Sequence, residues 1–199
     1  MPSSQIILYL HGFRSSPQSF KAHLFAQHMA ALGLEKNYLC PQLPASPKAA
    51  IQLAQHLLQN YVSEQITLVG SSLGGYYATW LAEQLGCRAV LLNPMVHIPY
   101  DMDQFIGATT TYHSNEVFEF KRDYVDELRA LATEQTTQPA RYFLFAATGD
   151  ELLDWRDMEA HYPGARQHII QGSDHGLTGF EQYLDEVLAF CGIDAGATQ

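Results

Sequence analysis

Positive charge is scarce in this sequence: 11 Lys and Arg stand against 21 Asp and Glu, for a formal net charge of −10. A nucleic-acid binder needs a basic face to displace counterions from phosphates, so no nucleic-acid partner is expected. Cysteine is scarce too. Cys40, Cys87 and Cys191 are an odd number without CxxC spacing. They read as small buried hydrophobes in a reducing cytoplasm, not as a disulfide frame or zinc site. The nine histidines contain no HxH or HExxH, which argues against a dedicated metal site. Long apolar runs are missing as well, since Ile6 to Leu10 is far too short to cross a bilayer. The opening MPSSQIILYLHG lacks the basic and apolar regions of a signal peptide. A cytoplasmic protein without a membrane span is expected.

What is present is an ordinary globular composition, 47% hydrophobic and 16% charged, over 199 residues. That length suits a single domain spanning 1–199. Short aliphatic or β-branched runs recur at Ile6–Leu10, Ile66–Val69, Ala89–Leu92, Tyr142–Phe145 and His168–Ile170, with a weaker one at Tyr38–Cys40. Their residues are apolar consecutively, as in strands buried on both faces of a parallel sheet. Helical segments lie between them. Ser16-Pro17 and Ser46-Pro47 each set a capping hydroxyl before a proline, and Gly33, Gly86 and Gly192 supply stops. The expected apolar stripes are Phe20, Leu24, His28 and Leu32; Ile51, Ala54, Leu58 and Tyr61; Leu73, Tyr77, Trp80 and Leu85; and Phe180, Leu184, Val187 and Cys191. Strand and helix in alternation predict an α/β fold, a mostly parallel sheet of about six strands with helices on both faces. From about 95 to 138 the rhythm breaks into a polar loop and one helical stripe through Phe120, Tyr124, Leu128 and Leu131. This insertion is expected to form a small cap over the site. The tail after Gly192 is expected to fray.

The chemistry concentrates at Ile66-Thr67-Leu68-Val69-Gly70-Ser71-Ser72-Leu73-Gly74-Gly75, a strand, then G-x-S-x-G, then a helix. A serine is a poor nucleophile unless its hydroxyl is exposed beside a base. A sharp strand-to-helix turn projects it above the sheet, and glycine neighbours tolerate the crowding. Ser72 occupies the elbow position, and Ser71 is its rival. The alternative is a glycine-rich turn with an incidental serine. Backbone N–H groups of Leu73, at the helix start, and of Phe13, in the His11-Gly12-Phe13 loop after the first strand, are the expected oxyanion donors. His11 is expected to hydrogen-bond backbone and shape that loop.

In the α/β-hydrolase fold the order is nucleophile, acid, base, each after a successive strand. Asp150 follows the Tyr142–Phe145 run and His175 follows His168–Ile170, so both are expected at strand carboxyl ends, facing the elbow. Glu151, Asp154 and Asp174 are competing acids. Glu151 and Asp154 are expected to start the next helix, and Asp174 adjoins His175 awkwardly.

HGF-R-SSP at 11–17, GSSLGG at 70–75, TGDE at 148–151 and DHGLTGFE at 174–181 resemble the YqiA-like family of small bacterial esterases, along essentially the whole chain. The resemblance implies a minimal α/β-hydrolase fold, esterase or thioesterase activity on acyl substrates, no cofactor, and a triad at Ser72, Asp150 and His175. Arg14 and Gly176 depart from the family's pattern, where Asn and Ser are more usual. The expected substrate is a small acyl ester or thioester, with Phe13, Tyr76 and Met95 walling an apolar pocket. Two rivals remain: an acyltransferase or peptidase using the same triad, and a non-catalytic binding protein on the same fold.

Overall fold

Every residue of the first strand, β1 (Ile6–Leu10), is buried, although the strand is only five residues long. A run that offers water nothing on either face is stable only between two layers, and the chain supplies both. The structure, a computed structural model, describes residues 5–99, 102–112 and 117–193. Its further strands are β2 (Tyr38–Leu39), β3 (Ile66–Ser71), β4 (Arg88–Leu92), β5 (Gly107–Thr110), β6 (Val117–Phe120), β7 (Tyr142–Ala147) and β8 (Arg166–Ile170). The helices are α1 (Phe20–Ala31), α2 (Pro47–Leu58), α3 (Leu73–Leu85), α4 (Arg122–Arg129), α5 (Trp155–His161) and α6 (Leu184–Phe190).

Six strands form one all-parallel sheet in the order β2-β1-β3-β4-β7-β8. The pleat sends alternate side chains to opposite faces. Ile6, Leu8 and Leu10 join residues of α2, α3, α4 and α5 in one core. Ile7 and Tyr9 join Ala22, Phe25 and Met29 of α1 and Leu184, Val187 and Leu188 of α6 in the other. Each such side chain, once buried, contributes about 1.5–3 kcal/mol. Register decides where the strands stop together. Leu10 pairs with Gly70, Ser71 with Leu92, Leu92 with Phe145, and Ala147 with Ile170. The loops after five strands therefore open at one edge of the sheet.

The local signals succeed unevenly. Ser46 caps α2 by accepting from Ala49 N at 3.1 Å, with Pro47 at the first helical position. Ser16-Pro17 instead forms a turn, and α1 begins only at Phe20. The buried face of that helix is Lys21, Ala22, Phe25 and Met29, not the expected Phe20 stripe, and Phe20 is 59% exposed. Apolar residues surround α1, so two stripes compete, and a lysine marks the one that is buried. Tyr61 is exposed beyond the end of α2. Of the expected frayed tail, Ile193 is buried and its N–H donates to Leu188 O at 2.9 Å; the remainder lies outside the described residues.

The insertion between β4 and β7 holds two strands that the sequence does not announce. β5 and β6 pair antiparallel as a separate ribbon, leading into α4. The insertion docks through α4: Glu127 Oε2 accepts from Ser46 Oγ at 2.6 Å and from Lys48 N at 2.9 Å.

Where α3 crosses β1, backbone touches backbone. A Cβ on Gly74 would stand 1.9 Å from Leu10 O, and one on Gly70 would stand 2.3 Å from Gly74 O. Gly74→Ala is therefore expected to overpack this crossing and lower folding stability by roughly 3 kcal/mol or more, read as a reduced urea midpoint.

Candidate active site

Ser72 sits between β3 and α3 with φ 56° and ψ −120°, a conformation that non-glycine residues rarely adopt. Such strain costs on the order of 1–3 kcal/mol and persists only where the surroundings impose it. Here they do. Ser72 N donates to Leu92 O at 3.1 Å, and Ser72 O accepts from Gly75 N at 2.9 Å and Met95 N at 3.0 Å. Gly12 faces the serine so closely that a Cβ there would lie 3.2 Å from Ser72 Cβ. Ser72 and His175 line one cavity of about 420 Å³.

Asp150 follows β7, and its side chain is fully buried, while that of His175 is 18% exposed. Asp150 Oδ2 accepts from His175 Nδ1 at 2.8 Å. Its other oxygen takes the N–H groups of Leu152 at 2.8 Å and Leu153 at 3.0 Å. The carboxylate is thus fixed by its own loop before it meets the imidazole. With Nδ1 so engaged, Nε2 is the ring atom left for a proton acceptor's work.

The competing acids go elsewhere. Asp154 caps α5, accepting from Arg156 N at 2.9 Å. Asp174 accepts from Thr178 N and Oγ1 at 2.9 and 2.8 Å, and these bonds hold its carboxyl below its ordinary pKa. Glu151 does not start a helix as expected: its Oε2 accepts from the backbone N of His175 at 3.0 Å. The rival serine, Ser71, is also in the cavity wall, in contact with the Tyr9 hydroxyl.

Two further residues hold the histidine loop. Asn93, fully buried at the end of β4, donates from Nδ2 to Asp174 O at 3.0 Å and His175 O at 3.1 Å. Its Oδ1 accepts from Ala147 N at 2.8 Å. Lys21, only 8% exposed, donates from Nζ to Gly176 O at 2.6 Å. The sequence reading missed both. A polar residue directly after an aliphatic strand was the available signal for Asn93, and a lysine within an apolar helix was that for Lys21.

The loop after β1 carries His11, whose Nε2 accepts from Leu43 N at 3.0 Å and whose Nδ1 lies 3.0 Å from Gly12 O. The imidazole braces the loop that presents Phe13. Phe13 lines the cavity and packs edge-on against Phe105, Phe118 and Phe120 of the insertion, with centroids 5.1–5.5 Å away. Among the described residues, the backbone N–H groups of Phe13 and Leu73 have no acceptor. Leu73 is the first residue of α3, where no intrahelical partner exists.

Tyr76 and Met95, expected in the pocket wall, are not in it. Tyr76 is one turn into α3 and points at the insertion, donating to Leu128 O at 3.0 Å. Met95 is buried behind the elbow, its N–H spent on Ser72 O. The insertion contributes Phe105 and Tyr112 instead, and Leu152 and Phe20 complete the apolar rim. Arg14 ties loop to insertion, donating to Thr110 O at 2.8 Å with its guanidinium over the Tyr112 ring. Among the described residues, no group of three or more His, Cys, Asp or Glu stands together as a metal site would require.

Residues 6–192 match the sequence profile of the uncharacterised protein family UPF0227. The chain belongs to that family. It is the YqiA-like family that the four motifs resemble, and its fold is that of the α/β hydrolases. Est1E from Butyrivibrio proteoclasticus, solved with ferulic acid bound, is 13% identical; the match covers 94% of this chain and 90% of that one, at TM-score 0.67. A structure reported with the metagenome-derived lipolytic enzymes LipS and LipT is 18% identical, covers 96% and 95%, and gives 0.64. Alpha/beta hydrolase domain-containing protein 10 from mouse is 15% identical, with 92% and 89% covered, also at 0.64. At such identities the likeness is one of fold, and the site must be argued from its own residues.

Asn93→Ala would leave Ala147 N and the two loop carbonyls without their partner. A stability loss of roughly 2–4 kcal/mol is expected, measured by urea denaturation, together with a displaced His175 imidazole resonance.

Proposed function

We propose that the protein is a serine hydrolase of carboxylic esters or thioesters that works through an acyl-enzyme, with Ser72 as nucleophile, His175 as base and Asp150 as the acid that orients it. The observation that carries this reading is the 2.8 Å hydrogen bond between Asp150 and His175 at a cavity that Ser72 also lines, on a strained turn. Such strain serves to expose a hydroxyl, and an incidental serine has no need of it.

In this mechanism Ser72 Oγ attacks the acyl carbonyl carbon as His175 Nε2 takes the hydroxyl proton. The carbonyl π pair moves onto oxygen. Asp150 keeps Nδ1 protonated and stabilises the imidazolium. The N–H groups of Phe13 and Leu73 receive the oxyanion, each such donor being worth about 3–4 kcal/mol in the transition state. As the pair returns, the bond to the alcohol or thiol breaks and His175 hands it the proton. Water, deprotonated by the same nitrogen, then repeats the sequence, releases the acid and restores Ser72. No cofactor is required by these steps.

The substrate is read as a small acyl ester or thioester. A cavity of about 420 Å³ suits a short or aromatic acyl group, and its rim carries Phe20, Phe105, Tyr112 and Leu152, all exposed large apolar residues. Phe13 is both a wall residue and one of the expected oxyanion donors. The cytoplasm suits the free thiols of Cys40, Cys87 and Cys191.

Ser72→Ala is expected to lower kcat on a p-nitrophenyl ester by roughly 10³–10⁶-fold while the circular dichroism spectrum stays native. Ser71→Ala should retain far more activity and remain labelled by a fluorophosphonate probe. Labelling lost only in the Ser71 variant would move the nucleophile to that residue.

Asp150→Asn should favour the wrong imidazole tautomer, with a kcat loss on the order of 10⁴. Asp154→Asn, at a helix cap, should cost little, since Asn caps nearly as well as Asp. The two kcat values on one ester decide between them, and the reverse pattern would reassign the acid.

A further inference from the structure

The wall of the cavity holds one amine. Lys21 enters it from the first turn of α1 and is buried, in a chain whose other helical cations sit largely in water. Its Nζ reaches Gly176 O at 2.6 Å, directly after His175. An ammonium has three N–H bonds to offer, and that carbonyl uses one. Among the described residues no carboxylate comes within 4.0 Å of this amine. Asp150 is committed to His175, Leu152 and Leu153, and Asp174 to Thr178.

A buried ammonium without a paired anion is costly, and helices do not keep one for packing alone. Bracing the loop through Gly176 O accounts for one hydrogen bond; a neutral donor would do the same without the charge. We propose that Lys21 makes the cavity selective for acyl substrates that carry an anionic group, a carboxylate or a phosphate, within a few atoms of the reacting carbonyl. The anion takes the N–H bonds that Gly176 leaves free. The apolar rim then grips the rest of the molecule, so the preferred substrate is amphiphilic: apolar at one end and anionic near the scissile bond.

Desolvation pulls the Lys21 pKa down to about 8, against the opposing fields of Asp174 and Asp150. The amine is still mainly protonated at neutral pH, and a bound anion would hold it so. The inference deepens the proposed hydrolysis, resting on it only for the identity of the reacting bond.

The test compares 4-nitrophenyl butyrate with mono-4-nitrophenyl succinate, which adds a carboxylate on the acyl side, and with 3-carboxyphenyl butyrate, which adds one to the leaving group. These are assayed on the wild type, Lys21→Met and Lys21→Arg. The corresponding anilides, which resist hydrolysis, are titrated by calorimetry on the same proteins. An ionic hydrogen bond of ordinary strength predicts that the anionic-to-neutral ratio, of kcat/KM and of affinity, falls by about tenfold or more in Lys21→Met. Lys21→Arg should restore much of it. A preference for either charged ester supports the site and assigns the side of the scissile bond. Equal losses on charged and neutral ligands would overturn it, leaving Lys21 as a brace for the loop. So would a wild type without preference in both assays. Anilide selectivity without ester turnover would uphold the anion site and refute the hydrolase reading instead.

Discussion

Backbone meets backbone without an intervening side chain where β3 ends, and the geometry of the site follows from that contact. Gly70 stands against Gly74 and Gly75, and Gly74 against Leu10 O, at separations no Cβ would permit. Only this approach lets the chain turn from a buried strand into α3 within a single residue. That residue is Ser72, which takes φ 56° as a consequence. Its carbonyl then accepts from Gly75 and Met95, so the strain is held by hydrogen bonds on both sides of the turn. Loosening the glycine contact would release the serine from the cavity wall.

The partners of the elbow arrive by a different route. Parallel register ends β4, β7 and β8 beside it, but a shared edge does not by itself aim a histidine. Aim comes from four anchors on the loop after β8. Asp150 holds the ring, Glu151 the His175 N–H, Asn93 the carbonyls of Asp174 and His175, and Lys21 the carbonyl of Gly176. They come from three different segments of the chain. Fixing a loop from several sides keeps a side chain within the fraction of an ångström that proton transfer needs.

The insertion contributes Phe105 and Tyr112 to the cavity wall. Its aromatic residues clamp Phe13, and through Phe13 the backbone N–H beside it. Arg14 is the residue that stitches this loop to the insertion. The cavity wall and the Phe13 loop are therefore mechanically linked, since the insertion touches both.

The sequence by itself determined what depends on neighbouring residues. Consecutive apolar runs marked the four inner strands, β1, β3, β4 and β7, because burial on both faces leaves no alternation to read, whereas the edge strands β2 and β8 are only partly buried and gave shorter signals. The G-x-S-x-G turn placed Ser72, and chain order placed Asp150 and His175 in loops after successive strands. What joins distant segments was decided only by the tertiary structure. Strand order cannot be deduced from local periodicity. The ribbon in the insertion, with its short and largely exposed strands, carries little apolar pattern. Tyr76 read as a pocket residue because it follows the elbow closely in sequence, yet the direction of α3 turns it toward the insertion, and Met95, beyond β4, is buried with its N–H on Ser72 O. Asn93, Glu151 and Lys21 carry only weak local signals, and their role as anchors follows from contacts between distant segments. Each acts on a loop far along the chain, Lys21 on a carbonyl 155 residues away. A local pattern records the conformation a segment prefers; which side chains meet is set by how the segments pack, and the packing here brought a lysine into the wall of the cavity.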